Sequence, residues 1–205
     1  MIVRIIKFVY SSLRKLLRFQ KHNANKLFNF LLPNLQFLIS RRVSYVNIPN
    51  CNQKTILSGL GNIQIGLNCS FGYKLGGFFR GGSIEIQPRY KDSKILFGNY
   101  VVSNNNVFFC AANHIEIGDN TLIGQNVIVM DHEAHNINPA RRKEIGTIGK
   151  VVIGKNVWLG NNVTILKNSE IGDNSIVATG AVVSGKFPQN VIIGGVPAKI
   201  IKPIE

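Results

Sequence analysis

The chain has 205 residues, enough for one sizeable domain with an appendage, and its 45% hydrophobic content excludes a disordered or low-complexity protein. Its net charge of +14 is uneven: half of the 24 Lys and Arg residues precede Glu85, the first acidic residue, so the N-terminal portion is purely cationic. Such a surface suits anionic lipid, a phosphorylated substrate or nucleic acid, and no nucleic-acid fold signature accompanies it, so no nucleic-acid partner is expected.

Residues 1–20 place apolar side chains at 2, 5, 6, 9, 13, 16 and 17 with Arg4, Lys7, Arg14, Lys15 and Arg18 between them, the spacing of an amphipathic helix. Arg4 and Lys7 leave the apolar run too short to span a bilayer, and a second apolar segment, 27–39, is broken by Pro33. Residues 1–47 are read as a basic amphipathic helical segment lying on anionic lipid. Packing of these helices on the remaining protein or on a neighbouring subunit is the other reading. No small-residue cleavage site follows the early apolar run, so no secretory leader is expected. Cys51, Cys69 and Cys110 are widely spaced and form no CxxC or Cys/His set, which predicts neither disulfides nor a zinc cluster and suits a reducing cytoplasm.

From about Ile48 the chain is β-rich, with imperfect repeats at Ile63, Phe71, Ile84, Phe97, Ser103 and Phe109, interrupted by the Gly-rich stretch 72–82. The interval from Phe109 to Ile117 is eight, a two-residue insertion that contains His114. Thereafter the period is six: Ile117, Ile123 and Val129, then Ile153, Leu159, Ile165, Ile171, Val177 and Val183. A short fixed period marks a parallel β-helix, in which a short strand, a turn and the next strand wind into a triangular prism. The aliphatic residue points inward. Four residues later a small inward site holds Thr121, Val127, Val157, Val163, Ser169, Ser175 or Ala181. Asn120, Asn126, Asn156, Asn162, Asn168 and Asn174 each stand three residues after an aliphatic, and Asn tolerates the left-handed backbone of a tight corner.

Residues 130–150 carry no inward pattern and are read as an excursion from the prism, the usual place for function on a rigid scaffold. The excursion holds His132, His135 and the cluster Arg141-Arg142-Lys143, which suits either a phosphorylated acceptor or a solvated loop. Pro188 and Pro197 lack the donor a further ladder strand needs, so the solenoid, residues 48–187, should end near here, with 188–205 as a closing tail.

The six-residue repeats, the Asp131-His132-Glu133-Ala134-His135 loop, the Asn156-Val157-Trp158-Leu159-Gly160 segment and the Gly195-Val196-Pro197-Ala198-Lys199 tail resemble the hexapeptide-repeat acyltransferases. Within them the chain is most similar to the galactoside and maltose O-acetyltransferases and to those that O-acetylate bacterial surface polysaccharides. The resemblance, over about residues 60–203, implies a left-handed parallel β-helix, a homotrimer, and an active site between subunits with acetyl-CoA along the prism. It implies His132 as general base, Asn104 in the acceptor pocket, Asn161, Thr179 and Ser184 lining the coenzyme slot, and Lys199 and Lys202 near the coenzyme phosphates. The chain departs from family members acting on free sugars at Ala111 and Ala112, where they carry acidic residues, and at Glu133, where they carry Pro.

Acetyl transfer to a hydroxyl needs a base near neutral pKa within hydrogen-bond reach, which histidine supplies. Asp131 or Glu133 could orient and stabilise the ring, and His135 could be a partner, a substrate contact or the base itself. Trp158 could line the slot or the subunit contact. The expected product is an O-acetylated saccharide of a lipid-linked or nucleotide-linked surface-polysaccharide precursor, made in the cytoplasm or at the inner face of its membrane. N-acetylation of an amino sugar or antibiotic, a trimeric zinc enzyme using His114, His132 and His135, and a silent scaffold are the rival readings; no metal is expected.

Overall fold

In the computed structural model, residues 34–205 are described, together with residues 14, 15, 17–20, 24 and 27. Most of the expected amphipathic segment 1–20 lies outside the described residues, as do residues 28–33 of the second apolar segment, 27–39. Among the described residues no helix is long and apolar enough to cross a membrane.

The strands, numbered in chain order, stack into three walls. The first face carries β1 (Val43–Tyr45), β4 (Asn62–Ile65), β7 (Lys94–Phe97), β10 (His114–Ile117), β13 (Lys150–Ile153), β16 (Glu170–Ile171) and β19 (Lys186–Phe187). The second carries β2 (Asn50–Cys51), β5 (Ser70–Phe71), β8 (Val102–Ser103), β11 (Leu122–Ile123), β14 (Trp158–Leu159), β17 (Ile176–Val177), β20 (Val191–Gly195) and β21 (Ala198–Pro203). The third carries β3 (Thr55–Leu57), β6 (Ile84–Pro88), β9 (Phe108–Ala111), β12 (Ile128–Met130), β15 (Thr164–Ile165) and β18 (Val182–Val183). Within each face neighbouring strands are parallel, except that β21 folds back antiparallel on β20. This is the parallel β-helix expected from the repeats, with the left hand that the family resemblance implies.

The period of six is a burial period. The inward aliphatics of the six-residue period, from Ile117 to Val183, are each at most 3% exposed, and the small inward sites from Thr121 to Ala181 are all fully buried. Each buried Ile, Leu or Val contributes roughly 1.5–3 kcal/mol of apolar burial. In the N-terminal coils the inward positions are larger, and Phe71, Phe97 and Phe109 meet edge to face at centroid separations of 5.2 and 5.1 Å. Helix α1 (Gln36–Ile39) adds the buried Phe37 to this core.

The six corner asparagines all adopt positive φ, between 54° and 62°. Their amides form ladders along the prism: Asn106 donates to Asn126 at 2.8 Å and Asn126 to Asn162 at 2.9 Å, while Asn156 donates to Asn174 and Asn174 to Asn190 at 3.0 Å each. Where backbones of successive coils meet there is no room for a side chain: a Cβ on Gly118 would lie 2.5 Å from the Gly154 carbonyl carbon.

Two boundaries differ from the sequence reading. Strand β1 pairs Val43 with Ile63 a few residues before Ile48, so the solenoid begins inside the segment expected to be helical. The prism also continues past Pro188, because that proline sits at a corner, where no ladder donor is needed, and β20 adds one more parallel strand on β17. The turn through Pro197 then reverses the chain into β21, which closes the tail.

Candidate active site

The excursion leaves the prism between the third and first faces. His132 stands three residues after the inward Val129, the place that Asn168 fills one coil later with φ 62°. A corner residue is thus replaced by the start of a loop. An antiparallel bridge between His132 and Ile148 closes the loop, with Glu133 N–H donating to Thr147 O at 3.0 Å, Gly146 N–H to Glu133 O at 3.0 Å and Gly149 N–H to Asp131 O at 2.7 Å. At its tip Asn138 caps the 3₁₀ turn Pro139–Arg141, and exposed Arg141 pairs with Glu144 at 2.6 Å.

Asp131 and His132 form the buried centre. Asp131 is fully buried, and its Oδ1 accepts from Ala112 N–H at 2.7 Å and from His132 Nδ1 at 2.9 Å. Its Oδ2 accepts from Asn113 N–H at 2.8 Å and His114 N–H at 2.7 Å. Three successive amides of the turn between β9 and β10, the turn announced by the eight-residue interval, therefore cradle this carboxylate. On the other side of the ring, Arg89 Nη1 lies 3.2 Å from His132 Nε2. A guanidinium can only donate, so Nε2 is the acceptor in this contact and Nδ1–H is the group donating to Asp131. The network assigns the tautomer and places the lone pair where a base would use it. The His132 side chain has no exposed surface.

Arg89 is a residue the sequence reading missed. The register pairs Ile86 with Phe109 and Phe109 with Val129, so Arg89, Ala112 and His132, each three residues later, share one column. Ala112 offers only a methyl group between them, which leaves the arginine room to reach a ring two coils away. The Arg89 guanidinium is otherwise held by Gln87 Oε1, from Nε at 3.2 Å and Nη2 at 2.9 Å. The Gln87 amide donates to Glu85 at 3.2 Å, and Ser58 Oγ donates to the same carboxylate oxygen at 2.6 Å. Cys110 donates to Gln87 at 3.1 Å, but burial pushes the Cys110 thiol up to about 11, as it does Cys51, so neither supplies a thiolate near neutrality.

The other expected residues separate. Glu133 does not orient the histidine: its carboxylate accepts from Thr147 N–H at 3.2 Å and Thr147 Oγ1 at 2.9 Å and pairs with Lys167 at 3.3 Å, and these hydrogen bonds, the backbone one first, hold it below the usual carboxylate range. His135 is exposed, with Nδ1–H donating to Arg142 O at 2.9 Å. The His114 ring pairs with Glu116 at 3.1 Å, and only its backbone amide serves the site. Among the described residues no group of three or more His, Cys, Asp or Glu side chains gathers.

Ser184 follows β18 on the same corner as His132, whereas Asn104, Asn161 and Thr179 follow β8, β14 and β17 on the corner between the second and third faces. Trp158 points outward from the second face, 54% exposed, and Lys199 and Lys202 are exposed on β21. Asn161 Oδ1 accepts from Gln125 N–H at 3.0 Å, and Asn104 Oδ1 from Asn105 N–H at 2.8 Å. One protomer therefore does not bring this second-corner set to the histidine. A concavity of about 530 Å³ opens on the first face beside Tyr45, Leu96 and Lys155 and touches none of these residues.

Residues 150–185 match the family model described as bacterial transferase hexapeptide, six repeats. Over 119 residues the chain is 39% identical to the putative lipopolysaccharide biosynthesis O-acetyl transferase WbbJ of Escherichia coli, covering 53% of this chain and 60% of that protein. Over 115 residues it is 35% identical to the galactoside O-acetyltransferase of Escherichia coli, covering 55% and 56% respectively. The chain thus spans well under two thirds of the length of these relatives. The crystal structure of a hexapeptide-repeat acetyltransferase from Vibrio cholerae, complexed with acetyl coenzyme A, superposes with a TM-score of 0.55 over 85% of this chain and 84% of that one at 22% identity, which shows a shared fold.

Proposed function

We propose, for this member of the bacterial hexapeptide-repeat transferases, an acetyl-CoA-dependent O-acetyltransferase that modifies a sugar hydroxyl of a cell-surface polysaccharide precursor. The observation that carries the reading is the buried Asp131–His132 pair, with Nδ1–H committed to the carboxylate and the lone pair on Nε2. The names of the two relatives described above point to O-acetyl transfer.

The coenzyme supplies the acetyl group as an activated thioester. His132 Nε2 takes the proton of the acceptor hydroxyl as its oxygen bonds to the acyl carbon, and returns that proton to the departing sulfur. Asp131 holds the ring in the working tautomer and faces the charge that the imidazolium carries. The residues fit the coenzyme: Lys199 and Lys202 are exposed and have no carboxylate partner among the described residues, which suits phosphates, and the Asn161 amide nitrogen is left unused by the corner ladder. Asn104 would meet the acceptor or the developing oxyanion.

The site is read as shared between copies of a homotrimer. The separation of the second-corner residues from His132 supports this, and so does the second face, where Val102, Leu122, Trp158, Ile176 and Ile192 form an outward apolar ladder in register, three of them 39–54% exposed. The enzyme would work in the cytoplasm, at the inner face of the membrane if its acceptor is lipid-linked. The cationic N-terminal segment motivates the lipid-linked acceptor. Removing residues 1–45 should release the protein from vesicles containing anionic lipid in a flotation assay, and undiminished binding would remove the membrane from the proposal.

The function itself is tested by following free thiol released from acetyl-CoA with acceptors that offer only hydroxyl or only amine groups. Turnover with the hydroxyl set is expected; turnover confined to amines would make the protein an N-acetyltransferase, and no coenzyme binding at all would leave a scaffold.

A further inference from the structure

We propose that Arg89 is a latch on the catalytic base and the specificity residue of the acceptor site, released by an anionic group on the acceptor, so that the substrate is an acidic saccharide. This rests on His132 being the base. In the structure the ring is fully shielded, and Arg89 occupies the one nitrogen with a free lone pair. An acceptor hydroxyl can reach Nε2 only when the guanidinium moves off it.

Among the described residues, the two carboxylates of this network already hold other hydrogen bonds. Asp131 is saturated by three backbone amides and the imidazole. Glu85 is bonded by Ser58 and Gln87, and Gln87 stands between that carboxylate and Arg89 as a neutral spacer. Arg89 is half-buried, and among the described residues it makes no ion pair. Of its five N–H groups, three are spent on Gln87 and His132, leaving one on each terminal nitrogen. Two such donors match two oxygens of one carboxylate or phosphate. A neutral sugar would have to strip the arginine of its partner and leave a half-buried cation unpaired; an acidic one replaces that partner while setting its own hydroxyl beside the freed Nε2.

The anion could be a sugar carboxylate or a sugar phosphate, and the test separates them. Thiol release is measured with a hexuronic acid, a hexose 1-phosphate and the corresponding neutral hexose, for the full-length wild type, Arg89→Gln and Arg89→Lys. The wild type should favour at least one acidic acceptor in kcat/KM by about 100-fold, the scale set by losing one partner of a desolvated charge pair. Arg89→Gln should erase that preference by lowering the acidic acceptor far more than the neutral one, and Arg89→Lys should restore part of it. A uniform fall for both acceptors in Arg89→Gln would show that the arginine only props up the histidine, and equal use of acidic and neutral acceptors by the wild type would equally overturn the proposal. The His132 imidazole resonance, followed by NMR as the hexuronic acid or sugar phosphate is added without coenzyme, separates the latch from the chemistry. A shift in wild type that is absent in Arg89→Gln supports the latch even if no acceptor is acetylated, in which case the proposed function alone falls; no shift with either anion sinks the latch.

Discussion

Replacing His132 by Ala should lower acetyl transfer by about 10²–10⁴-fold, the usual contribution of a positioned general base, while coenzyme binding is retained. The loss should appear in kcat, since the imidazole acts on the hydroxyl proton and holds no part of the coenzyme. The fold has means to survive the change: the three backbone amides still satisfy Asp131, and the loop keeps its Glu133–Thr147 and Gly149–Asp131 hydrogen bonds. Thiol release that stays near wild type would remove His132 from the chemistry and, with it, the central premise. The same variant reports on where the site is built. If Asn104 of one copy faces His132 of another, mixing denatured His132→Ala and Asn104→Ala chains before refolding should regenerate intact sites, roughly a quarter of them for random assembly around a closed ring. Recovery of no activity would place both residues in a single copy's site or relieve Asn104 of any role.

The prism was legible from residue spacing because a solenoid repeats one local solution: the same inward aliphatic, the same small inward neighbour and the same left-handed corner recur until chance is excluded. That is why Asn120 to Asn174 could be placed at corners, and why the break after Val129 stood out. His132 was singled out by the family resemblance, as the first histidine of that excursion, and the structure puts it where a corner residue would stand. What surrounds it was less legible, because it depends on which coil lies above which. Glu133 is as close to His132 in sequence as Asp131 is, but the chain direction at the corner sends one inward, onto the amides of residues 112–114, and the other across to Thr147 and Lys167. Arg89 is 43 residues from His132 and becomes its neighbour only when the extra residues of the turns at 89–93 and 112–113 are subtracted. Aligning Ile86, Phe109 and Val129 as one column would have found it. The distribution of Asn104, Asn161 and Thr179 onto a different corner follows from the same column count and could also have been read in advance.

Asp131→Asn should impair both stability and activity, and by a route that a simple loss of charge does not describe. The amide nitrogen must stand at one of the two oxygen sites. At the Oδ2 site it would face the N–H groups of Asn113 and His114, leaving two buried donors without an acceptor at about 1–3 kcal/mol each. At the Oδ1 site it would face Ala112 N–H and also require the imidazole to accept at Nδ1, which moves the ring proton to Nε2, against the donating guanidinium of Arg89. Neither placement preserves both the cradle and the working tautomer. The expected result is a clear fall in melting temperature together with a loss of kcat that approaches the roughly 10⁴-fold effect of the wrong tautomer in a serine-protease triad, the best-measured analogue. Thermal unfolding and thiol release measured on the same preparation test it. Full stability with lost activity would mean that the amide sits at the Oδ1 site with Arg89 displaced; full activity would mean that Asp131 neither orients His132 nor holds its proton in place.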